Sequence, residues 1–402
     1  DLHLDSPLRG LDRDAPTARI RRATRDALVN LVDFALDRRV AFVLLAGDLY
    51  DGDAKDWRTG QFLTQQLARL TREKIEIVAI SGNHDADQIL TRRLPIPGML
   101  PSRHATTHRL QGAPVAVHGQ SFATRAVTDN LALAYPVRAE GLFNIGLLHT
   151  ACGQGGHENY APCDLADLER LEYEYWALGH VHVRQVLCEK PWVVFPGNLQ
   201  GRHVKEEGPK GASLVTVRGL RVAATPEPVA FDVIRWQRLD VDLTGAPTLQ
   251  AAQDRTRFAL DEAALLADGR MLIVRITLVG ECAVHADLAR SPEKTREEMR
   301  AAALDVAAPD QLWIEDVRIA TRPALDLAAM RAQPGPVGAL IHALEKPVKL
   351  DPGLQAFVAD QLKRAGIALD PEHPATAIEA GRLPDDLVAR ARALLLAELA
   401  SG

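Results

Sequence analysis

Five short segments of the 402-residue chain carry side chains that hold divalent metals. They are Asp1-Leu-His3, Gly47-Asp48, Gly82-Asn83-His84-Asp85, His149 within Leu-Leu-His-Thr, and Gly179-His180-Val-His182. Carboxylates, imidazoles and an amide oxygen make a mixed O/N donor set with no thiolate, which suits Mn²⁺ and tolerates Fe²⁺ or Zn²⁺. Singly, each segment has an ordinary explanation. Gly-Asp after a strand is often only a turn, His-x-His fits an alternating strand with exposed rings, and Asn and Asp beside Gly are common turn residues. The ordered set in one chain is what favours a metal centre over those explanations.

The elements that must position these residues are legible as well. Asp48, Asn83, His149 and His180 each come at or just after an apolar, strand-like run: 40–46, 75–80, 143–149 and 175–178. In α/β sheets ligands bind at the loops beyond the carboxyl ends of strands. In an extended segment alternate side chains point the same way, so Asp1 and His3 can address one ion, and the same argument applies to His180 and His182. Glycines 47, 82 and 179 permit tight turns and close backbone approach. Residues 17–38 read as an amphipathic helix with Ile20, Ala27, Leu28, Leu31, Val32 and Ala35 on one face, and 57–72 as a second. Strand and helix alternate up to this point, as in α/β layer structures. After residue 105 the text is strand-rich (115–118, 143–149, 175–178, 181–187, 192–195, 213–217) with one short helix at 165–171. An α/β sandwich follows more naturally than a single parallel sheet.

A boundary falls near residue 235. Beyond it a strand (237–243), a helix (248–266), a strand (271–279), a helical stretch (292–304) and a strand (312–320) make a compact α+β unit. From Pro323 the pattern is helical and interrupted by prolines, ending in a helix at 385–399 with an apolar stripe. The expected division is a catalytic domain at 1–235, an α+β domain at 236–322 and a helical region at 323–402.

Hydrophobic residues at 47% and charged residues at 25% are ordinary for a soluble globular protein. No apolar run approaches the length of a membrane span, and no leader peptide is legible. Cys152, Cys163, Cys188 and Cys282 form no zinc-finger spacing and read as reduced thiols of a cytoplasmic protein. A net charge of −6 and a pI near 6.1 exclude a grip on nucleic acid by bulk charge, so a DNA substrate needs a local basic surface or a partner.

The order Asp-x-His, Gly-Asp, Gly-Asn-His-Asp, His, Gly-His-x-His resembles the calcineurin-like metallophosphoesterase superfamily. Within it, Asp1-Leu-His-Leu-Asp-Ser-Pro-Leu8 and Pro196-Gly-Asn-Leu-Gln-Gly-Arg-His203 resemble bacterial SbcD-type and YhaO-like DNA repair exonucleases. The motifs cover roughly residues 1–205, and the remainder is similar in layout. The resemblance implies a four-layer α/β/β/α sandwich with a small α+β cap domain and a helical C-terminal tail. It implies two divalent ions, one held by Asp1, His3 and His182, the other by Asn83, His149 and His180, with Asp48 bridging. It makes His84 the catalytic histidine at the scissile phosphate, oriented by Asp51 or Asp85. In the family a strand precedes Asp-x-His. Here Asp1 opens the sequence, and such a strand is expected ahead of it.

Asn198, Arg202 and His203 are candidate substrate contacts, with Lys205 and Lys210 in the same loop, against the alternative of a solvated charged loop containing Glu206 and Glu207. The arginines at 19, 21, 22 and 25 read as a solvated helix face rather than a DNA track. The implied activity is exonucleolytic hydrolysis of DNA, with endonuclease action on single strands, by a homodimer in a bacterial cytoplasm. The helical tail either docks an SMC-like ATPase or packs on its own protein. Two other readings remain: the same metal site acting on another phosphate ester (protein phosphatase, cyclic nucleotide phosphodiesterase or nucleotide pyrophosphatase), and a non-enzymatic scaffold.

Overall fold

The computed structural model describes residues 1–8, 10–11, 15–51, 56–86, 94, 96–154, 160–324, 338–339, 342, 350–365 and 374–382. Helix α1 (Thr17–Arg38) leads to strand β1 (Phe42–Ala46), and helix α2 (Trp57–Arg72) to strand β2 (Glu76–Ile80). Asp56 caps α2 by accepting the Arg58 N–H, and the helix buries Leu63, Leu67 and Leu70, one side of its surface. β1 and β2 pair in parallel from Phe42↔Glu76 to Ala46↔Ile80. The apolar faces of α1 and α2 cover one side of this pair, with Leu28, Val32, Leu63 and Leu67 packed on Leu45, Ile77 and Ala79.

The second sheet has six strands in the order β3-β4-β5-β6-β8-β7. They are β3 (Thr106–Arg109), β4 (Val115–Gly119), β5 (Phe143–His149), β6 (Tyr175–Gly179), β7 (Gln185–Glu189) and β8 (Trp192–Phe195). β4, β5, β6 and β8 run parallel, with β3 and β7 antiparallel at the edges. Parallel strands covered on both faces are nearly continuous hydrophobic runs, and every residue of β5 is buried. One face meets β1 and β2 through Val78, Ile80, Val117, Ile145 and Leu147. The other packs Trp176, Leu178 and Phe195 against Tyr135, Leu168 and Tyr173, around helix α3 (Leu165–Glu169). The result is the expected α/β/β/α order of layers.

Two expectations are corrected here. The run 181–187 does not extend as one strand: β6 ends at Gly179, His180 turns at φ 96°, and β7 begins only at Gln185. The run 213–217 is split between β9 (Gly211–Leu214) and the short β10 (Val217–Arg218), which pairs with β11 (Arg221–Val222). β9 pairs with β12 (Glu227–Ala230), which the sequence pattern did not announce because Pro228 sits within it. Between β1 and β9 lies a cavity of about 660 Å³, lined by Leu31, Phe42, Leu44, Ile145 and Leu214 among others.

The chain divides into two compact units, Asp1–Leu239 with Phe258–Ile276 and Ala303–Asp316, and Asp240–Arg257 with Thr277–Ala302 and Val317–Gly402. A three-stranded sheet follows the order β13 (Ile234–Asp242), β14 (Met271–Cys282), β15 (Leu312–Pro323). In the first unit Trp236, Met271 and Ile273 pack on Ile20, Ala23 and Val204. In the second, the Thr256 hydroxyl donates to the Ala252 carbonyl, and Arg255 donates to the carbonyls of Asp242 and Thr244. Of the C-terminal region, helices at Pro352–Ala365 and Pro374–Glu379 are described, and the helix expected at 385–399 lies outside the described residues.

The β1–β2 pair and the six-stranded sheet come into close backbone contact at their carboxyl ends. A Cβ on Gly179 would lie 1.9 Å from the Ala46 carbonyl oxygen and 2.8 Å from His149 Nδ1. No side-chain rotation relieves a clash with backbone, and overpacking of this kind costs about 1–3 kcal/mol or more. Gly179→Ala is therefore expected to lower the melting temperature by several degrees in thermal denaturation. An unchanged melting temperature would show that the sheets can part without cost.

Candidate metal centre

The centre is assembled where these strands end. The first residues run beside the loop after β1: Leu2 and His3 donate their N–H groups to the Asp48 carbonyl, and Leu4 to that of Leu49. Leu199 donates to the Asp1 carbonyl from the other side. The loop after β2 is tied to the loop after β1 by Asp85, whose buried carboxylate accepts the N–H groups of Leu49, Tyr50 and Gly82. His3 (φ 44°), Asp48 (φ 48°) and His180 (φ 96°) all adopt left-handed backbone. Each such residue costs on the order of 1–3 kcal/mol and persists only where the surroundings over-determine it, a pattern concentrated at functional sites.

Asp48 is the hub. Its Oδ1 accepts the His84 N–H at 3.0 Å. Its Oδ2 faces two imidazoles, 3.7 Å from His3 Nε2 and 3.5 Å from His149 Nε2. Among the described residues, His3, Asp48 and His182 converge as one ligand group, and Asp48, His149 and His180 as a second. A third close grouping, His3, Asp51 and His84, differs in character. There Asp51 Oδ1 stands 3.3 Å from His3 Nδ1, behind the ring rather than in front of it.

The tautomers say what the front of each ring is for. His182 Nδ1 lies 2.8 Å from Glu206 Oε1, and His149 Nδ1 lies 2.8 Å from the Ala46 carbonyl. Both acceptors call for a proton on Nδ1, which leaves the Nε2 lone pair exposed to the centre. His3 has Asp51 on its Nδ1 side, at ion-pairing distance though off the line of a good hydrogen bond. With the proton on Nδ1 of both rings, His3 Nε2 and His182 Nε2 turn lone pairs toward the same point, 3.0 Å apart. His149 Nε2 likewise faces the amide oxygen of Asn83 at 2.9 Å. Two ligand atoms each ~2.1 Å from an ion, and at right angles about it, are ~3 Å apart. Imidazoles backed by carboxylates or carbonyls are the usual arrangement around a metal. The residues present therefore fit divalent ions in both groups.

Burial sets the electrostatics. It pulls the pKa of His3 down to about 3 and lowers those of His149 and His182, keeping the rings neutral and available as ligands. Burial alone would raise the pKa of Asp48, but His149, His3 and His84 together hold it below the usual carboxylate range. Glu206 is likewise held low against its burial by hydrogen bonds from His182 and Arg202. Burial, reinforced by Asp48, pushes Asp85 up to about 7.

The sequence-predicted residues fall into three classes. His3, Asp48, Asn83, His149, His180 and His182 converge as described. His180 and His182 enter different groups, as the resemblance implied and against the simple alternation argument, because the left-handed turn at His180 breaks the extended alternation. Asp1 is within the centre, with its carboxylate accepting the His180 N–H at 3.0 and 3.1 Å, and 3.7 Å from His149 Nδ1. It joins neither Asp48-containing ligand group. His84 presents a ring one quarter exposed, with Nδ1 3.5 Å from Asp51 Oδ1, so Asp51 is the residue beside it. Asp85 braces backbone instead of orienting that ring.

The residues expected to contact substrate differ in their surroundings. Asn198 is buried and donates to Glu206 Oε2 and the Gln200 carbonyl. Arg202 is clasped by Glu206 and Asp51, and Lys210 is buried with its ammonium on the His182 carbonyl. Of these five candidates only Lys205 is exposed, and His203 is partly so. Sequence reasoning passed over Glu206 as a member of a solvated loop. The usable signal was its position four residues after Arg202, between glycines that let the loop fold inward.

Comparison with known proteins agrees with this geometry. A calcineurin-like phosphoesterase profile matches residues 1–184, and a profile for the middle domain of metallophosphoesterase YhaO matches residues 236–322. The chain is 33% identical over 333 residues to the uncharacterized metallophosphoesterase YhaO of Bacillus subtilis, covering 79% of each protein. It is 24% identical over 213 residues to the DNA double-strand break repair protein Mre11 of Sulfurisphaera tokodaii (48% of this chain, 54% of that one). With Mre11 of Haloferax volcanii the identity is 26% over 258 residues (61% and 55%). The match thus spans about half the length of these Mre11 proteins.

The buried imidazoles make stability depend on pH. In the unfolded chain histidines titrate near 6.5. Below that pH the unfolded state binds protons that His3, with its pKa near 3, and the depressed His149 and His182 refuse, so stability falls as pH falls, from about 6.5 downward. Asp85, raised to about 7, opposes this by gaining a proton in the folded state first, but it is one group against three. The metal-free protein is expected to melt several degrees lower at pH 5.5 than at pH 7.5. A flat or rising melting temperature on acidification would contradict the neutral, buried state of the rings.

Proposed function

We propose that this chain, which belongs to the calcineurin-like metallophosphoesterases and within them to the group with a YhaO middle domain, is a two-metal phosphodiesterase that degrades DNA as an exonuclease in repair. The observation that carries the phosphodiesterase reading is the pair of ligand groups sharing Asp48, with His84 hung from the same carboxylate and opening to solvent. Divalent ions bound there would supply positive charge to the phosphoryl oxygens and lower the pKa of a nucleophilic water. The chain's own residues do the rest. His149 and His182 present Nε2 lone pairs fixed by the Ala46 carbonyl and Glu206, His3 has Asp51 on its Nδ1 side, and His180 and Asn83 complete the donor set. Asp48 holds its two oxygens to opposite duties, one toward the rings and one on the His84 N–H. The His84 ring, with Asp51 on its Nδ1 side, is placed to meet the phosphodiester and protonate the leaving oxygen.

DNA as substrate rests on the similarity to proteins named for DNA double-strand break repair and on the layout of a cap following the catalytic region. The net charge of −6 means that DNA is held locally, or with a partner's help, and not by the field of the whole molecule.

The test is a nuclease assay on end-labelled linear DNA with Mn²⁺, run beside hydrolysis of bis-p-nitrophenyl phosphate. The native chain is expected to shorten DNA stepwise. His84→Ala should lose roughly 10²–10⁴-fold in rate, the usual contribution of a general acid, while still binding Mn²⁺, and Asp48→Asn should bind neither ion. Hydrolysis of the small diester with DNA left intact would move the substrate to another phosphate ester. No hydrolysis of either would sink the phosphoesterase reading itself.

A further inference from the structure

Arg202 was expected to reach for phosphate, and its surroundings give it other work. Nη2 lies 2.8 Å from Glu206 Oε1, Nε 3.3 Å from Glu206 Oε2, and Nη1 3.4 Å from Asp51 Oδ1. Its backbone N–H also donates to Glu206 Oε2 at 2.9 Å, and its side chain is 13% exposed. Glu206 and Asp51 are the two carboxylates that stand behind His182 and His3 respectively. We propose that Arg202 is a positioning residue for the metal centre: one guanidinium joins the two backing carboxylates and thereby sets both opposed imidazoles, and His84 through Asp51, as a unit. The proposal rests on the metal-centre reading and is independent of the substrate.

The geometry favours this over a charge-balancing role. The planar fork spans two carboxylates at once, which a point charge does not. The neighbouring loop is built to hold Glu206 still, with Asn198 Nδ2 on its Oε2 at 2.8 Å and Trp236 Nε1 on the Gly201 carbonyl at 2.9 Å. Arg202 Nη2 also lies 2.9 Å from His182 Nδ1. Without a firmly placed Glu206, a donor at that distance would draw the proton to Nε2 and turn the ring's lone pair away from the ion. The fork keeps Glu206 seated, so that the carboxylate wins the Nδ1 proton.

The two views predict opposite signs for one variant. A cation near an ion site repels the ion, so if Arg202 only balances charge, Arg202→Met should bind Mn²⁺ more tightly and Arg202→Lys should change nothing. If it positions the ligands, both variants should weaken Mn²⁺ binding by about 10- to 100-fold, the usual effect of removing an outer-shell partner. The experiment is calorimetric titration of the full chain and both variants with Mn²⁺, with metal-free thermal denaturation to confirm folding. Proton NMR of the Zn²⁺-loaded forms adds a second readout. In the native chain the Nδ1–H proton of His182, 2.8 Å from Glu206 Oε1, should appear as a slowly exchanging downfield signal, and in the variants it should broaden or vanish. Unchanged or tighter Mn²⁺ binding, or an unchanged ring signal in a folded variant, overturns the proposal. A native chain that binds neither ion takes down the metal-centre reading and the proposal with it.

Discussion

The structure depends on holding several lone pairs at close quarters in a place from which water is excluded. His3, His149 and Asp48 are essentially buried, and their ligand atoms point at one another instead of at hydrogen-bond donors. Such a cluster is costly unless a cation occupies its focus, because unpaired acceptors in a low-dielectric interior lose their hydration without return. Everything around it keeps the acceptors from turning away. Asp85 staples one loop to the next through backbone N–H groups, Gly179 lets two sheets meet at Ala46, and the rings of His149 and His182 are secured from behind. The left-handed conformations of His3, Asp48 and His180 belong to the same arrangement, since relaxed backbone would swing these side chains outward.

Division of labour within the centre follows from exposure. His3, Asp48 and His149 are buried, whereas the His84 ring, like His180 and His182, is partly open to solvent, and it hangs from the hub by its own N–H. A group that meets substrate must be reachable, and a group that holds an ion benefits from being shielded. One carboxylate serving both tasks through different oxygens ties the position of the proton donor to that of the ligands.

Much of this was legible in the sequence because strand ends are. Apolar runs closing on Asp48, Asn83, His149 and His180 announced both the sheets and the rim, and the runs 143–149 and 192–195 coincide with β5 and β8. What stayed illegible was decided by backbone rotation and burial at single residues. The resemblance already sent His180 and His182 to different ions, but nothing in the letters Gly-His-x-His says that His180 does so by turning left-handed. Nothing in the charged run 202–210 says that Glu206 and Lys210 fold inward while Lys205 does not. Charge patterns report solvent preference on average, and a functional loop departs from that average by pairing each buried charge.

The opposed rings of His3 and His182 are 179 residues apart in sequence. Contacts of such separation form late, because the loop between them must be closed before they bring any return. The centre thus comes into being only when the first unit has folded to completion, and an unfolded or half-folded chain has no comparable site. Ions that recognise only the finished arrangement act as a latch on it. Metal supply would then govern how long the molecule survives as well as how fast it turns over.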